Sequence, residues 1–223
     1  MVTWLTLTFA TFGALLPIVN PFSTAPVFAA LSVHFSPERR AHQARMAVVY
    51  MIAILLTTLV AGALIMSFFG ISLPALRMAG GLIVARVGFA MLNPTADGEL
   101  SDDSAREAAT MKDIAFTPIA LPLLSGPGSI AVTIAMATEA DGLISYAAIA
   151  FGILLVAAVA FVVLRSATWV ARYLGVTGMD VLTRLMGLVL VCIGVQFLFR
   201  GLIEGITYPS VAQALLDAFR GGL

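Results

Sequence analysis

Four runs of this chain carry no Asp, Glu, Lys or Arg: Val2–Val33, Met46–Leu76, Ile114–Thr138 and Gly142–Leu164. A helix rises about 1.5 Å per residue, so about 20 apolar residues cross a hydrocarbon core about 30 Å thick. Two more stretches reach that length if arginine is admitted. One is Met78–Ala96 across Arg86; the other is Val181–Ile203, where Arg184 and Arg200 lie near the ends and can snorkel. Only 11% of the residues are charged and 61% are apolar, against about 25% and 45–50% in a soluble domain. So few charges cannot cover a water-exposed surface, which excludes a soluble enzyme and a disordered chain. Twelve basic residues balance twelve acidic ones, so no basic footprint points to nucleic acid. The single cysteine, Cys192, excludes an internal disulfide. What is left is an all-α membrane protein, because a span must satisfy its own backbone hydrogen bonds.

The pattern predicts six transmembrane helices, at about 3–33, 45–69, 73–93, 112–138, 142–165 and 180–203. The first has no basic leader and too long an apolar run for a signal peptide, so it is expected to remain a span. The first loop holds Arg39, Arg40 and Arg45, the third Arg106 and Lys112, and the fifth Arg165 and Arg172. Basic loops face the cytoplasm, which puts both termini outside. Residues 94–111, with Asp97, Glu99, Asp102 and Asp103, read as a cytoplasmic linker between two halves, 1–93 and 112–205. Val211, Leu215, Leu216 and Phe219 fall at helical spacing, so the tail 206–223 reads as an interfacial helix.

The halves resemble each other. Pro21-Phe22-Ser23 reappears as Pro127-Gly128-Ser129, and Leu76, Gly81-Leu82 and Gly88 reappear as Leu182, Gly187-Leu188 and Gly194, all at an offset of about 106 residues. Three spans per half is an odd number, so the second half enters the membrane from the opposite side. The fold expected is two inverted three-helix repeats, a pattern of secondary transporters.

The first and fourth helices should be broken mid-membrane. The first carries Pro17, Asn20, Pro21 and Pro26, the fourth Pro118, Pro122, Gly126, Pro127 and Gly128. Proline removes a donor and clashes with the preceding turn. Each break opens a new helix N-terminus, with proline suited to its first turn and Asn20 or Ser125 placed to cap it. Such termini attract a carboxylate. Asn20, Pro21, Ser23 and Thr24 from one side, and Ser125, Gly126, Gly128 and Ser129 from the other, are the expected substrate-binding residues. The bland alternative is that these prolines only kink helices for packing.

Asn20-Pro21-Phe22-Ser23-Thr24-Ala25-Pro26 resembles the N/D-P-x-x-x-x-P signature of the MarC family. Residues Pro118 to Ile130 look like its P-x-A-x-P-L-L-x-G-P-G-x-I signature, and Arg77-Met78-Ala79-Gly80-Gly81 and Arg184-Leu185-Met186-Gly187 look like its third- and sixth-helix motifs. The resemblance covers about residues 5–203. It implies a six-helix inner-membrane protein, in a superfamily with LysE-type amino acid exporters. Some members are described as transporters of small neutral amino acids such as glycine and alanine.

Arg86 is the sharpest anomaly, since a charge in mid-span costs at least about 2.5–3.5 kcal/mol. It is expected to face the bundle interior or a watery cavity, either as a gate and polar partner for substrate or as a bond to carbonyls freed by the breaks. Arg77 and Arg184 read as helix-end anchors or loop partners. No catalytic or metal-binding motif is present, so neither an enzyme nor a cofactor is expected, and a coupling Na⁺ would have to rest on carbonyls and hydroxyls. The sequence thus points to a transporter of small neutral amino acids in the lipid bilayer. An exporter of other metabolites or toxic compounds, or a channel-like pore, fits the same features. Proton or Na⁺ coupling and oligomeric state stay open.

Overall fold

The computed structural model describes residues 2–93 and 113–207. The expected linker at 94–111 and nearly all of the tail at 206–223 lie outside the described residues. Within them every regular element is helical. Four helices are long and apolar enough to cross a membrane, and up to six spans result if each of two bent pairs counts as one.

The first bent pair is α1 (Val2–Val19) and α2 (Pro21–Leu31), turned by 42°. Asn20 between them sits at φ 42°, a left-handed conformation that asparagine tolerates better than other side chains. The second pair is α5 (Ala115–Leu124) and α6 (Pro127–Thr138), turned by 62°. Proline at 118 and 122 cannot donate, and the residues before them, Thr117 and Leu121, are pushed to extended angles. The remaining amides bond one residue further back than in an α-helix: Ile119 N–H to Ile114 O at 3.3 Å and Ser125 N–H to Ala120 O at 2.8 Å. Both breaks stand where the proline pattern puts them.

Four long helices complete the bundle: α3 (Pro37–Phe68), α4 (Leu73–Leu92), α7 (Gly142–Arg165) and α8 (Ala167–Ile206). Two depart from expectation. Helix α3 starts at 37 rather than 45, so Arg39, Arg40 and Arg45 ride on its first turns. Ser36 Oγ accepts from Arg39 N–H at 3.3 Å, and Pro37 takes the first helical position, a complete start signal. Helix α8 begins at 167 rather than 180, replacing most of the expected fifth loop. It bends at Gly175 (φ 62°), and the apolar span resumes over Asp180–Ile206. On residues 167–174 the exposed rings of Trp169 and Tyr173 stack, 5.2 Å apart and 11° from parallel, as aromatic side chains do at a lipid headgroup level.

The core lies among α1, α2, α3, α5 and α7, where Phe28, Met51, Leu55, Ile149 and Ile153 are wholly buried. Helix α7 runs beside α1, with Thr8 Oγ1 donating to Ala148 O at 3.2 Å. The tightest packing is between α4 and α8. Gly81 faces Gly194 and Gly88 faces Gly187, a rise of seven in one helix matched by a fall of seven in the other, so the pair is antiparallel. A methyl group on Gly194 would lie 2.5 Å from Ala85 N and 2.6 Å from Gly81 O. Glycine here lets main chain touch main chain.

Polar contacts sort the helix ends into two groups. Arg40 donates to Ser32 O (2.9 Å), and the Ile114 amide donates to buried Gln43 Oε1 (3.0 Å). The end of α2 and the start of α5 therefore meet the start of α3. At the start of α4, beyond the far end of α3, buried Arg77 pairs with Glu139, just after α6, and with Glu204, near the end of α8.

Candidate binding site at the two helix breaks

The first break satisfies itself. Asn20 Oδ1 accepts from Ser23 N–H (3.3 Å), capping α2, and Asn20 Nδ2 donates to Ser23 Oγ (2.7 Å) and to Met91 Sδ (3.5 Å). Ser23 Oγ reaches Thr183 Oγ1 at 3.3 Å, and Thr24 Oγ1 donates to Asn20 O at 3.3 Å. Asn20 and Thr24 are buried. Alanine at 20 would lose the cap, about 1 kcal/mol, and take a left-handed angle costing about 1–2 kcal/mol more. Glycine would restore the angle. Asn20→Ala is therefore expected to lower the thermal unfolding temperature well below that of Asn20→Gly. Equal unfolding temperatures would contradict this account.

The second break is built from the same plan with one part missing. At the position matching Asn20 stands Gly126, which has no side chain to cap α6, and Ser125 does not do so either. Instead Ser125 is buried, and its hydroxyl has no hydrogen-bond partner. Ser129 Oγ donates to Gly126 O at 2.9 Å. The amides of the first turn of α6 thus keep their donor capacity, with Pro127 contributing none.

The breaks touch. A methyl group on Gly128 would lie 3.3 Å from Ile18 Cγ2, two residues before Asn20, and 3.0 Å from Val84 Cγ2 of α4. Between them lies a cavity of about 280 Å³, lined by Ile18, Gly126, Gly128 and Ser129 and closed by Val87 and Leu190. Of the eight expected residues, Gly126, Gly128 and Ser129 share this cavity. Ser125 lines a neighbouring apolar one of about 390 Å³ beside Leu76 and Pro122. Asn20, Ser23 and Thr24 do not line the cavity; they form the network with Met91 and Thr183. Pro21 is buried at the first position of α2. The two termini are therefore adjacent but unequal: one is capped by its own asparagine and the other is open.

Arg86 does not face the bundle interior. It is exposed, on the outward stripe of α4 with Leu82 and Phe89. The cause is the small-residue face of that helix. Gly81, Ala85 and Gly88 turn toward α8, and Arg86 follows Ala85 by about 100° around the axis.

Sequence reasoning did not find the cluster of Arg77, Glu139 and Glu204. The guanidinium is 4% exposed and the carboxylate side chains 52% and 39%. The arginine thus holds the ends of α4, α6 and α8 together, consistent with the loop-partner reading.

Apolar helices in this number, two of them broken where glycine and proline cluster, define an integral membrane protein with irregular backbone inside the bundle, tolerated only where protein or a cavity covers it. Residues 5–206 match the family model described as MarC family integral membrane protein. The UPF0056 inner membrane protein MarC of Citrobacter koseri is 38% identical over 201 residues, covering 85% of this chain and 91% of that protein. The protein of the same description from Escherichia coli O1:K1 / APEC is 40% identical over the same shares. This chain belongs to the MarC family. No solved structure matches it.

Proposed function

We propose that this protein is a secondary transporter of small neutral amino acids, such as glycine or alanine, in the cell inner membrane. The observation that carries the reading is the uncapped start of α6 above the cavity between the breaks. Its free amides offer a carboxylate the contact that Asn20 Oδ1 takes from α2. The cavity is near the small end of the about 300–1,000 Å³ range for ligand sites, which favours a small solute. The proposal assigns no catalytic step and no cofactor, and the relatives' inner-membrane description supports the location.

Six crossings in two inverted repeats fit the packing. The start of α5 meets the start of α3 while the end of α6 meets the start of α4, so the bent pair passes from one face to the other. Helix α1 packs on α7 as α5 packs on α3, α2 on α8 as α6 on α4, and α3 on α6 as α7 on α2. Gly81 and Gly88 match Gly187 and Gly194 in the repeat yet touch them crosswise, as a two-fold axis between α4 and α8 requires. With basic loops inside, both termini lie outside. Alternating access then rocks one half against the other.

The test is counterflow of labelled glycine and alanine in proteoliposomes, with proton and Na⁺ gradients as separate arms. Saturable exchange is expected. Val87→Trp, which enters the cavity from a half-exposed position, should cut exchange at least about tenfold. Non-saturable flux would establish a pore instead, and saturable flux of other metabolites alone would establish the exporter reading.

A further inference from the structure

A second cavity, of about 570 Å³, opens between α1, α6 and α8, away from the breaks. Its composition changes along the helix axis. Arg200 and Glu139 stand at the mouth, Gln196 lies one turn deeper, and Cys192 and Leu188 follow at successive turns. Ala10 and Ala14 of α1 form the facing wall with Ala135 of α6. Beyond Gln196 the walls offer only the weakly hydrogen-bonding thiol of Cys192, so a small polar solute would be desolvated there with little compensation.

The charges at the mouth are unequal in what they have left to give. Glu139 is engaged by Arg77. Arg200 is exposed and has no hydrogen-bond or ion-pair partner among the described residues. The mouth therefore presents a free guanidinium, which matches a phosphate. From Arg200 to Gln196 is four residues, about 6 Å, and from Gln196 to Leu188 eight more, about 12 Å. The roughly 12 Å below Gln196 lie within the about 15 Å that one leaflet contributes to a core about 30 Å thick.

We infer that this groove is a phospholipid site: the phosphate of a bilayer lipid rests on Arg200, Gln196 meets the glycerol ester level, and one acyl chain lies along Cys192 and Leu188 against Ala10 and Ala14. The inference does not rest on the transport reading, since the groove and the break cavity share no lining residue.

Native mass spectrometry and thermal unfolding of the full chain in detergent test it, with dioleoylphosphatidylglycerol, dioleoylglycerol and inorganic phosphate as separate probes. The phospholipid is expected to bind one-to-one and raise the unfolding temperature saturably. Dioleoylglycerol and phosphate should each bind at least about tenfold more weakly, the worth of a charge-assisted contact. Arg200→Gln should bring phospholipid affinity down to that of dioleoylglycerol and leave dioleoylglycerol unchanged. Ala14→Phe should remove both adducts, and Val189→Trp, on the exposed opposite wall, serves the same purpose if that variant does not fold. Equal phospholipid binding by wild type and Arg200→Gln, or adducts surviving both groove-filling variants, would overturn the proposal.

Discussion

Gly194→Leu is expected to eliminate the folded, monodisperse protein. Its side chain would have to occupy space held by Ala85 N and Gly81 O, 2.5 and 2.6 Å from the first added carbon. Overpacking costs about 1–3 kcal/mol where side chains can give way. Here the obstacles are main-chain atoms, so α4 and α8 must separate along their length and the cost exceeds that range. Against a typical stability of about 5–15 kcal/mol the loss is decisive. Gly13 in α1 supplies the control: nothing lies within 4 Å of an added methyl there. Gly13→Ala should leave stability unchanged or raise it by up to about 1 kcal/mol through helix propensity. Size-exclusion profiles and unfolding temperatures compare the two, and a well-folded Gly194→Leu protein would refute the close α4–α8 contact.

The second large effect concerns Arg77. Replacing both carboxylates, as in Glu139→Gln with Glu204→Gln, strands a guanidinium that is 4% exposed. An uncompensated buried charge costs about 3–5 kcal/mol. The reverse change, Arg77→Met, leaves two carboxylates that are 52% and 39% exposed and can hydrate, so it should cost less. Each single glutamine variant keeps one ion pair and should cost least. The double variant should therefore lose clearly more than the sum of the singles, as neighbouring sites that share a partner do. Additive losses in unfolding temperature would mean that Arg77 is not held by both groups.

The breaks were legible because they depend on local chemistry. Proline, asparagine and glycine act on the backbone wherever the chain goes, and both bends fall at Asn20 and at Ser125–Gly126 as the sequence suggests. The inequality of the two breaks was also written there, since Gly126 stands where the repeat offset would place a second asparagine. Of the two caps the sequence offered, Asn20 serves its own helix and Ser125 does not. The Arg77 cluster was not legible from spacing, because its partners lie at the ends of two other helices, one of them 127 residues away. It becomes visible only in the packed structure, where the start of α4 meets the ends of α6 and α8. Arg86 was misplaced because depth was weighed without angle. The small-residue stripe Gly81–Ala85–Gly88 marks the packed side of α4, and Arg86 is not on it. The early start of α3 was signalled by Ser36-Pro37, but counting its arginines as loop charges concealed it.

The bend at Gly175 has a consequence for bilayers of different thickness. Helix α8 is locked to α4 through glycine contacts and cannot tilt alone, whereas the stacked Trp169 and Tyr173 just before the bend belong at the headgroup level. Gly175 lies in open space, with nothing within 4 Å of where a side chain would begin. The short foot at 167–174 is fixed at its other end, where Ala167 is wholly buried and Ser166 alone joins it to α7, so the rings hold the bundle at one depth and a thinner or thicker membrane must deform to meet them.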